Sequence, residues 1–164
     1  MGIESVDLAI VGAGPCGLAT AIAAKKAGLR ALVFDRGPIV NGITNYPTYM
    51  TFFSTAERIS IGGLPFIVPT EKPSKRDALA YYRGVASHFG LEVRQYETVT
   101  SLERENTSRA RPSWLVHSLS RNGYSETTHA RAVVVATGYF GRPNQLGVPG
   151  EELPHVRHGY IDGH

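Results

Sequence analysis

Apolar and polar positions follow two different periods along this chain, and the changeovers between them mark its elements. Residues 8–11 form a short unbroken apolar run, the composition of a parallel strand buried on both faces. The Ala-rich stretch 16–26 predicts a helix, stopped by Gly28. A second apolar run, 31–34, predicts the next strand and ends in Asp35. Residues 37–73 are long and irregular, with turn clusters such as Gly62-Gly63-Leu64-Pro65; such a stretch in a compact domain is functional or a sign of misassigned elements. Ser74 is a natural N-cap, and Leu79, Tyr82, Val85, Ala86 and Phe89 at helical spacing predict a helix over 77–89, ended by Gly90. Residues 91–96 read as a third parallel strand.

From Val99 to Thr128 the period falls to two. Residues 99–105, 114–120 and 124–128 predict three short antiparallel strands, with Asn122-Gly123 as a hairpin turn between the last two. Residues 131–136 return as a continuous apolar strand that ends in Thr137-Gly138, where the backbone can approach something beyond the strand's carboxyl end. Residues 139–164 read as a crossing segment rich in turn formers. Strands of parallel type alternating with helices, interrupted by a period-two block, define an α/β three-layer fold with a parallel sheet and an antiparallel β-meander.

The first strand runs into Gly12-Ala13-Gly14-Pro15-Cys16-Gly17, a G-x-G-x-x-G fingerprint between a predicted strand and a predicted helix. Gly12 permits the tight turn, Gly14 lets backbone approach a pyrophosphate, and Gly17 lets the helix pack closely on the sheet. The opening N–H groups of that helix have no partners within it, and its dipole favours an anion there. Asp35 follows the glycines by about 20 residues, where an acid binds ribose hydroxyls. The fold is thereby a Rossmann-like dinucleotide-binding domain.

Composition narrows the function classes. The 164 residues suffice for one domain with a sizeable core, and 42% hydrophobic content is globular. The net charge of +3 is small, and its bases (Lys25-Lys26, Lys72, Lys75-Arg76, Arg104, Arg109, Arg111) are scattered, as on a solvated surface rather than a nucleic-acid stripe. A single cysteine excludes an internal disulfide and fits a reducing cytosol. Glu4 and Asp7 stand where a signal peptide carries positive charge, and no run reaches the roughly 20 apolar residues of a membrane span, so the expectation is a cytoplasmic protein with no membrane partner.

The fingerprint, Asp35, the meander and Ala136-Thr137-Gly138 occur in the order seen in two-dinucleotide flavoproteins. V-G-A-G-P-C-G-L, N-Y-P-T-Y-M-T-F-F-S-T, I-G-G-L-P-F-I-V-P and A-T-G-Y-F-G-R-P-N together resemble the bacillithiol disulfide reductase family, thioredoxin-reductase-like flavoproteins with an FAD/NAD(P)-binding fold. The resemblance covers nearly the whole chain. It implies NADPH-dependent reduction of a low-molecular-weight disulfide through FAD, and it is compatible with a homo-oligomer of the complete enzyme. By position it implies that Gly12, Gly14, Pro15, Cys16 and Gly17 hold the FAD pyrophosphate and Asp35 the ribose. Val99 would flank the adenine, with Ala136, Thr137 and Gly138 toward the flavin. Cys16 is the implied redox residue. A helix N-terminus favours its thiolate, while its place inside the pyrophosphate turn and the lack of a C-x-x-C partner suit a small packing residue instead.

Other candidates carry less. His155 and His158 form an H-x-x-H pair with no further ligands, so no metal site is expected. Ser54, Ser60 and Ser74 lack the strand–elbow–helix context of a hydrolase nucleophile. Tyr46, Phe52 and Phe53 could wall an isoalloxazine ring or pack in the core. No second glycine fingerprint follows Gly138, because Pro149 breaks Gly147-Val148-Pro149-Gly150. Residues 1–164 therefore read as an incomplete FAD-binding domain without its NAD(P)H domain and C-terminal return: a truncated product, a gene fragment or part of a split enzyme. The competing readings are the N-terminal half of an FAD-dependent monooxygenase and a non-enzymatic nucleotide-binding remnant.

Overall fold

A computed structural model describes residues 3–105, 113–141 and 143–160. Arg109, Arg111 and the Arg142 of A-T-G-Y-F-G-R-P-N lie outside the described residues. Strand β1 (Glu4–Val11), helix α1 (Pro15–Lys26) and strand β2 (Ala31–Asp35) form the first crossover unit. β1 and β2 are parallel, with Ile10 beside Val33. The short helix α2 (Asn41–Thr44) and a 3-10 turn at Glu57–Ile59 lie in the long segment before helix α3 (Lys75–His88). Strand β3 (Glu92–Gln95) then pairs parallel to β2, with Val93 beside Val33. Ser74 caps α3 in a reciprocal box: its hydroxyl accepts from the Asp77 N–H, and Asp77 Oδ2 accepts from the Ser74 N–H at 2.9 Å.

Strands β4 (Glu97–Glu105) and β5 (Ser113–Ser120) are antiparallel. The expectation of separate strands at 124–128 and 131–136 is corrected: a single strand, β6 (Ser125–Val135), covers both. Its first half is antiparallel to β5, with Thr127 beside His117, and its second is parallel to β1, with Val134 beside Ile10. Thr128 to Ala130 pair on both sides at once. The side-chain pattern changes there because the two halves face different surroundings, whereas the backbone ladder has no cause to break. The same joint starts β1 at Glu4, earlier than the apolar run suggests, because Glu4 and Ser5 pair with Thr128 and His129. The Asn122-Gly123 turn sits in a four-residue loop, with Gly123 at φ +83°.

All six strands form one sheet in the order β3-β2-β1-β6-β5-β4. Alternate residues supply two cores. Val33 and Ile10 join Leu18 of α1 and Tyr82 of α3 on the helical side. Leu32, Phe34, Val6 and Ala9 join Val116 and Ala130 on the other. β5 lies three places from β2 in the sheet, yet Val116 shares a cluster with Phe34, so the sheet curls across its own face. Helices, parallel strands and meander are thus the three layers expected. Arg94 closes the curl, pairing with Glu4, with Glu97 at 3.1 Å and with Glu126 at 2.6 Å.

The segment 37–73 is not a bare loop. Val40, Ile43, Ala56 and Phe66 are buried in the helical-side core, and Phe66 stacks on Tyr81 with ring centres 4.1 Å apart. Burial pushes the Tyr82 hydroxyl up to about 12, so it stays protonated and donates to the Ile59 carbonyl at 2.8 Å. These anchors are apolar residues spaced irregularly along the segment, with no periodicity to reveal them.

Candidate functional site

The glycine turn lies at the carboxyl end of β1, between β2 and β6. The chain leaves β1 toward β2 on one side and reaches β6 on the other. Such a switch point opens a crevice outside the strand ends, where α/β sheets bind ligands. Gly12 has φ +114°, and a β-carbon there would lie 2.3 Å from the Ala136 carbonyl oxygen. A β-carbon on Gly17 would lie 1.9 Å from the Gly12 oxygen. Both glycines are thus required by backbone packed against backbone, which joins the fingerprint to Ala136.

Gly14 differs. Its backbone is extended at φ −75°, and nothing stands within 4 Å of where its β-carbon would be. It is the N-cap of α1, with Pro15 in the first turn, no side-chain cap and no acid in that turn. The positive end of the helix is therefore left to whatever occupies the space in front of it. Lys25 and Lys26 lie in the last turn, and their ammonium groups donate to the Gly90 carbonyl at 2.9 Å and the Gly62 carbonyl at 2.7 Å.

Asp35, at the end of β2, is already engaged. Its Oδ2 accepts from the Ala13 N–H at 2.8 Å, and its Oδ1 accepts from the Gly37 N–H at 2.9 Å. The second bond closes a local Asx turn, which Asp35-Arg36-Gly37 encodes. Val40, an apolar residue with no mark of function in the sequence, donates its N–H to the Ala13 carbonyl at 3.0 Å. It does so from a left-handed backbone at φ 56°.

Cys16 is exposed in the first turn of α1, and its carbonyl accepts from the Thr20 hydroxyl at 2.8 Å. Thr137 and Gly138 are exposed just past β6, with Gly138 at φ +84°. Val99 lies on β4 opposite Ser118 and packs against the meander-side core. The fingerprint, Asp35 and Ala136 are thus joined by direct contact, whereas Val99 belongs to the other layer. Of the three aromatics, Tyr46 and Phe52 pack together against the helical-side core, and Phe53 is 90% exposed. His158 faces Glu151 at 3.4 Å; Glu151 accepts from the Leu146 and Gly147 N–H groups, the first of which chiefly holds its carboxyl below the usual range.

These residues suit a dinucleotide. The space before Gly14, the uncapped helix end, the acid at the end of β2 and the exposed Thr137-Gly138 turn all lie at the carboxyl ends of the neighbouring strands β1, β2 and β6. Cys16 and Gly17 can offer backbone N–H groups to a pyrophosphate, and the Asp35 carboxylate keeps lone pairs for ribose hydroxyls beyond the two bonds it makes.

Residues 9–164 match the family described as pyridine nucleotide-disulphide oxidoreductase. The chain is 41% identical over 155 residues to bacilliredoxin reductase Bdr of Bacillus subtilis (strain 168), covering 94% of this chain and 45% of that protein. It is similar to the solved bacillithiol disulfide reductase Bdr (YpdA) from Bacillus cereus, with a TM-score of 0.92 and 42% identity over 98% of this chain and 48% of that one. Flavin-containing monooxygenase FMO GS-OX1 of Arabidopsis thaliana is more distant, at 29% identity over 90% of this chain and 38% of that protein. The chain spans less than half the length of each of these relatives.

Proposed function

This chain belongs to the pyridine nucleotide-disulphide oxidoreductase family, and from that premise we propose that it forms the FAD-binding part of an NAD(P)H-dependent flavin oxidoreductase acting on a low-molecular-weight disulfide of the bacillithiol type. The observation that carries the cofactor half is the open space before Gly14, bordered by Asp35 and the Ala136 turn. The disulfide half is supported by the 41% identity to a bacilliredoxin reductase, against 29% to a monooxygenase. Residues 1–164 are proposed as one cofactor-binding unit.

Bound FAD would supply the acceptor for hydride from NAD(P)H and the donor of two electrons to a disulfide. The chain's own part is to bind and orient. The Cys16 and Gly17 N–H groups and the α1 dipole hold the pyrophosphate, and Gly14 admits it. Asp35 would accept from the ribose hydroxyls and Thr137 and Gly138 would border the flavin side, while Val99, in the meander-side layer, would flank the adenine only where the nucleotide reaches across to β4. Cys16 is the one thiol of the chain and is exposed, so it is the candidate for thiol–disulfide exchange. A reducing cytoplasm suits that chemistry, and no helix among the described residues is long and apolar enough to cross a membrane.

The test uses the whole protein that carries this chain, loaded with FAD and given NADPH and bacillithiol disulfide. NADPH consumption matched by release of two thiols per disulfide is expected. Flavin-dependent oxygen insertion without disulfide reduction would overturn it in favour of the monooxygenase reading. Bound flavin with no NADPH oxidation would leave a nucleotide-binding module. A Cys16→Ser variant that keeps full reductase activity would remove that residue from the chemistry.

A further inference from the structure

Ala13, the middle residue of Gly12-Ala13-Gly14, is fully buried, and both of its backbone polar groups are taken by a single neighbouring segment. Its N–H donates to Asp35 Oδ2 at 2.8 Å, and its carbonyl accepts from the Val40 N–H at 3.0 Å. We propose that Asp35 is a positioning residue for the pyrophosphate turn, acting through Ala13 and holding the turn in its ligand-ready shape before any nucleotide binds. This rests on the FAD reading above and adds to the ribose contact a role that needs no ribose.

Three features carry the inference. First, the Asp35 carboxylate cannot swing freely, because its other oxygen accepts from the Gly37 N–H at 2.9 Å. Each oxygen is assigned to one backbone donor, and charge makes such bonds strong. Second, the turn is braced elsewhere by backbone groups: Gly12 rests on Ala136 and donates its N–H to the Phe34 carbonyl at 2.7 Å, and Gly17 rests on Gly12. Glycines resist bending poorly, so the bonds at Ala13 supply the restraint that side chains cannot. Third, Val40 holds a left-handed conformation at φ 56° and ψ 43°, unfavourable for a β-branched residue, while fully buried. Its N–H reaches Ala13 from that conformation, and its side chain is locked in the helical-side core. Residues 35–40 thus clamp the turn on both sides of one residue. The N–H groups of Cys16 and Gly17, which open α1 and have no intrahelical partner, are left for the ligand. A turn already ordered loses less entropy on binding.

The discriminating variant is Asp35→Asn. It preserves the side-chain volume but leaves a single oxygen to serve two backbone donors. The nucleotide-free full chain is measured for amide exchange at Ala13 by NMR, and for affinity toward FAD, ADP and 2′,3′-dideoxy-ADP. The expected result is an Ala13 amide protected in the wild type and exchanging about ten-fold faster in the variant, with β4 and β5 amides unchanged. Dideoxy-ADP, which makes no ribose hydroxyl contact, should weaken by about ten-fold through the lost restraint alone, and ADP by at least as much because it also loses the ribose contact. Unchanged Ala13 exchange, or a loss confined to ADP while dideoxy-ADP binds as before, would overturn the proposal and leave the FAD reading intact. A wild-type Ala13 amide that exchanges at open-loop rates would overturn it without any variant, including the case where Asp35→Asn fails to fold. Failure of the wild type to bind FAD at all would overturn the FAD reading, and this proposal with it.

Discussion

Gly12 faces the Ala136 carbonyl so closely that a β-carbon on it would stand 2.3 Å from that oxygen. The contact locks the ends of β1 and β6 together where both strands leave the sheet, continuing a ladder in which the Ala136 N–H donates to the Val11 carbonyl at 2.8 Å. The clashing atom is backbone and cannot rotate aside, and φ of +114° disfavours any side chain. Gly12→Ala is therefore expected to destabilise the protein by roughly 2–4 kcal/mol even without ligand. Chemical denaturation of the nucleotide-free protein reads this directly; an unchanged midpoint would mean that the two strand ends are not so joined.

Gly14→Val should behave in the opposite way. The position is extended and faces open space, so the fold loses no more than about 1 kcal/mol, from a poorer N-cap. The branched side chain fills the space proposed for the pyrophosphate, and FAD should no longer be retained. Bound flavin by absorbance, set beside the melting temperature, separates the two effects. Equal flavin in wild type and variant would put the nucleotide elsewhere.

The Ser74–Asp77 box predicts an acid-sensitive contribution. The Ser74 hydroxyl, and next its N–H, hold the Asp77 carboxyl below its ordinary value of 3.8. A carboxylate with a lowered folded value stabilises the native state above its unfolded pKa, and that contribution is lost as pH falls through the folded one. Ser74→Ala should cost about 1 kcal/mol at pH 7. For Asp77→Asn, the deficit relative to wild type should be full at neutral pH and shrink as pH drops below 3.8. Urea midpoints across that range test the sign, and a deficit that grew with acid would refute it.

Arg94 should prove the main polar tie between the parallel strands and the meander. Its guanidinium meets Glu4 of β1, Glu97 of β4 and Glu126 of β6, and lies 5.7 Å from the Phe34 ring centre. Among the described residues, Arg94→Met leaves the buried Glu97 carboxylate with the Ser118 hydroxyl, which donates at 2.6 Å. A loss of about 2 kcal/mol is expected, less than for a fully buried pair because Arg94 is partly exposed. Faster amide exchange in β4 and β5 than in β2 would mark the meander as the part released.

Much of the architecture was legible in local pattern. The continuous apolar runs of β1 and β2 and the helical spacing in α3 each encode an element within a few residues of themselves. Gly123 marks its hairpin in the same way. Where the pattern misled, at β6, the side-chain period changed within one strand because its two halves face different layers. The segment 37–73 hid α2 and its buried anchors because their partners lie far away in the chain.

By itself the sequence determined a strand–turn–helix with glycines where backbone must approach backbone or ligand, and an acid one strand away. These depend on residue type and spacing, and glycine is the one residue without a β-carbon. The spacing already assigned each glycine its task, and only the tertiary structure decided the partner atoms: Gly12 against Ala136, Gly17 against Gly12, and none within 4 Å of Gly14. It also decided that Asp35 and Val40 both grip Ala13. Those contacts run between backbone groups brought together by the crossing of β1, β2 and β6, and every residue but proline carries the same backbone donor and acceptor, so no choice of side chain announces them in advance.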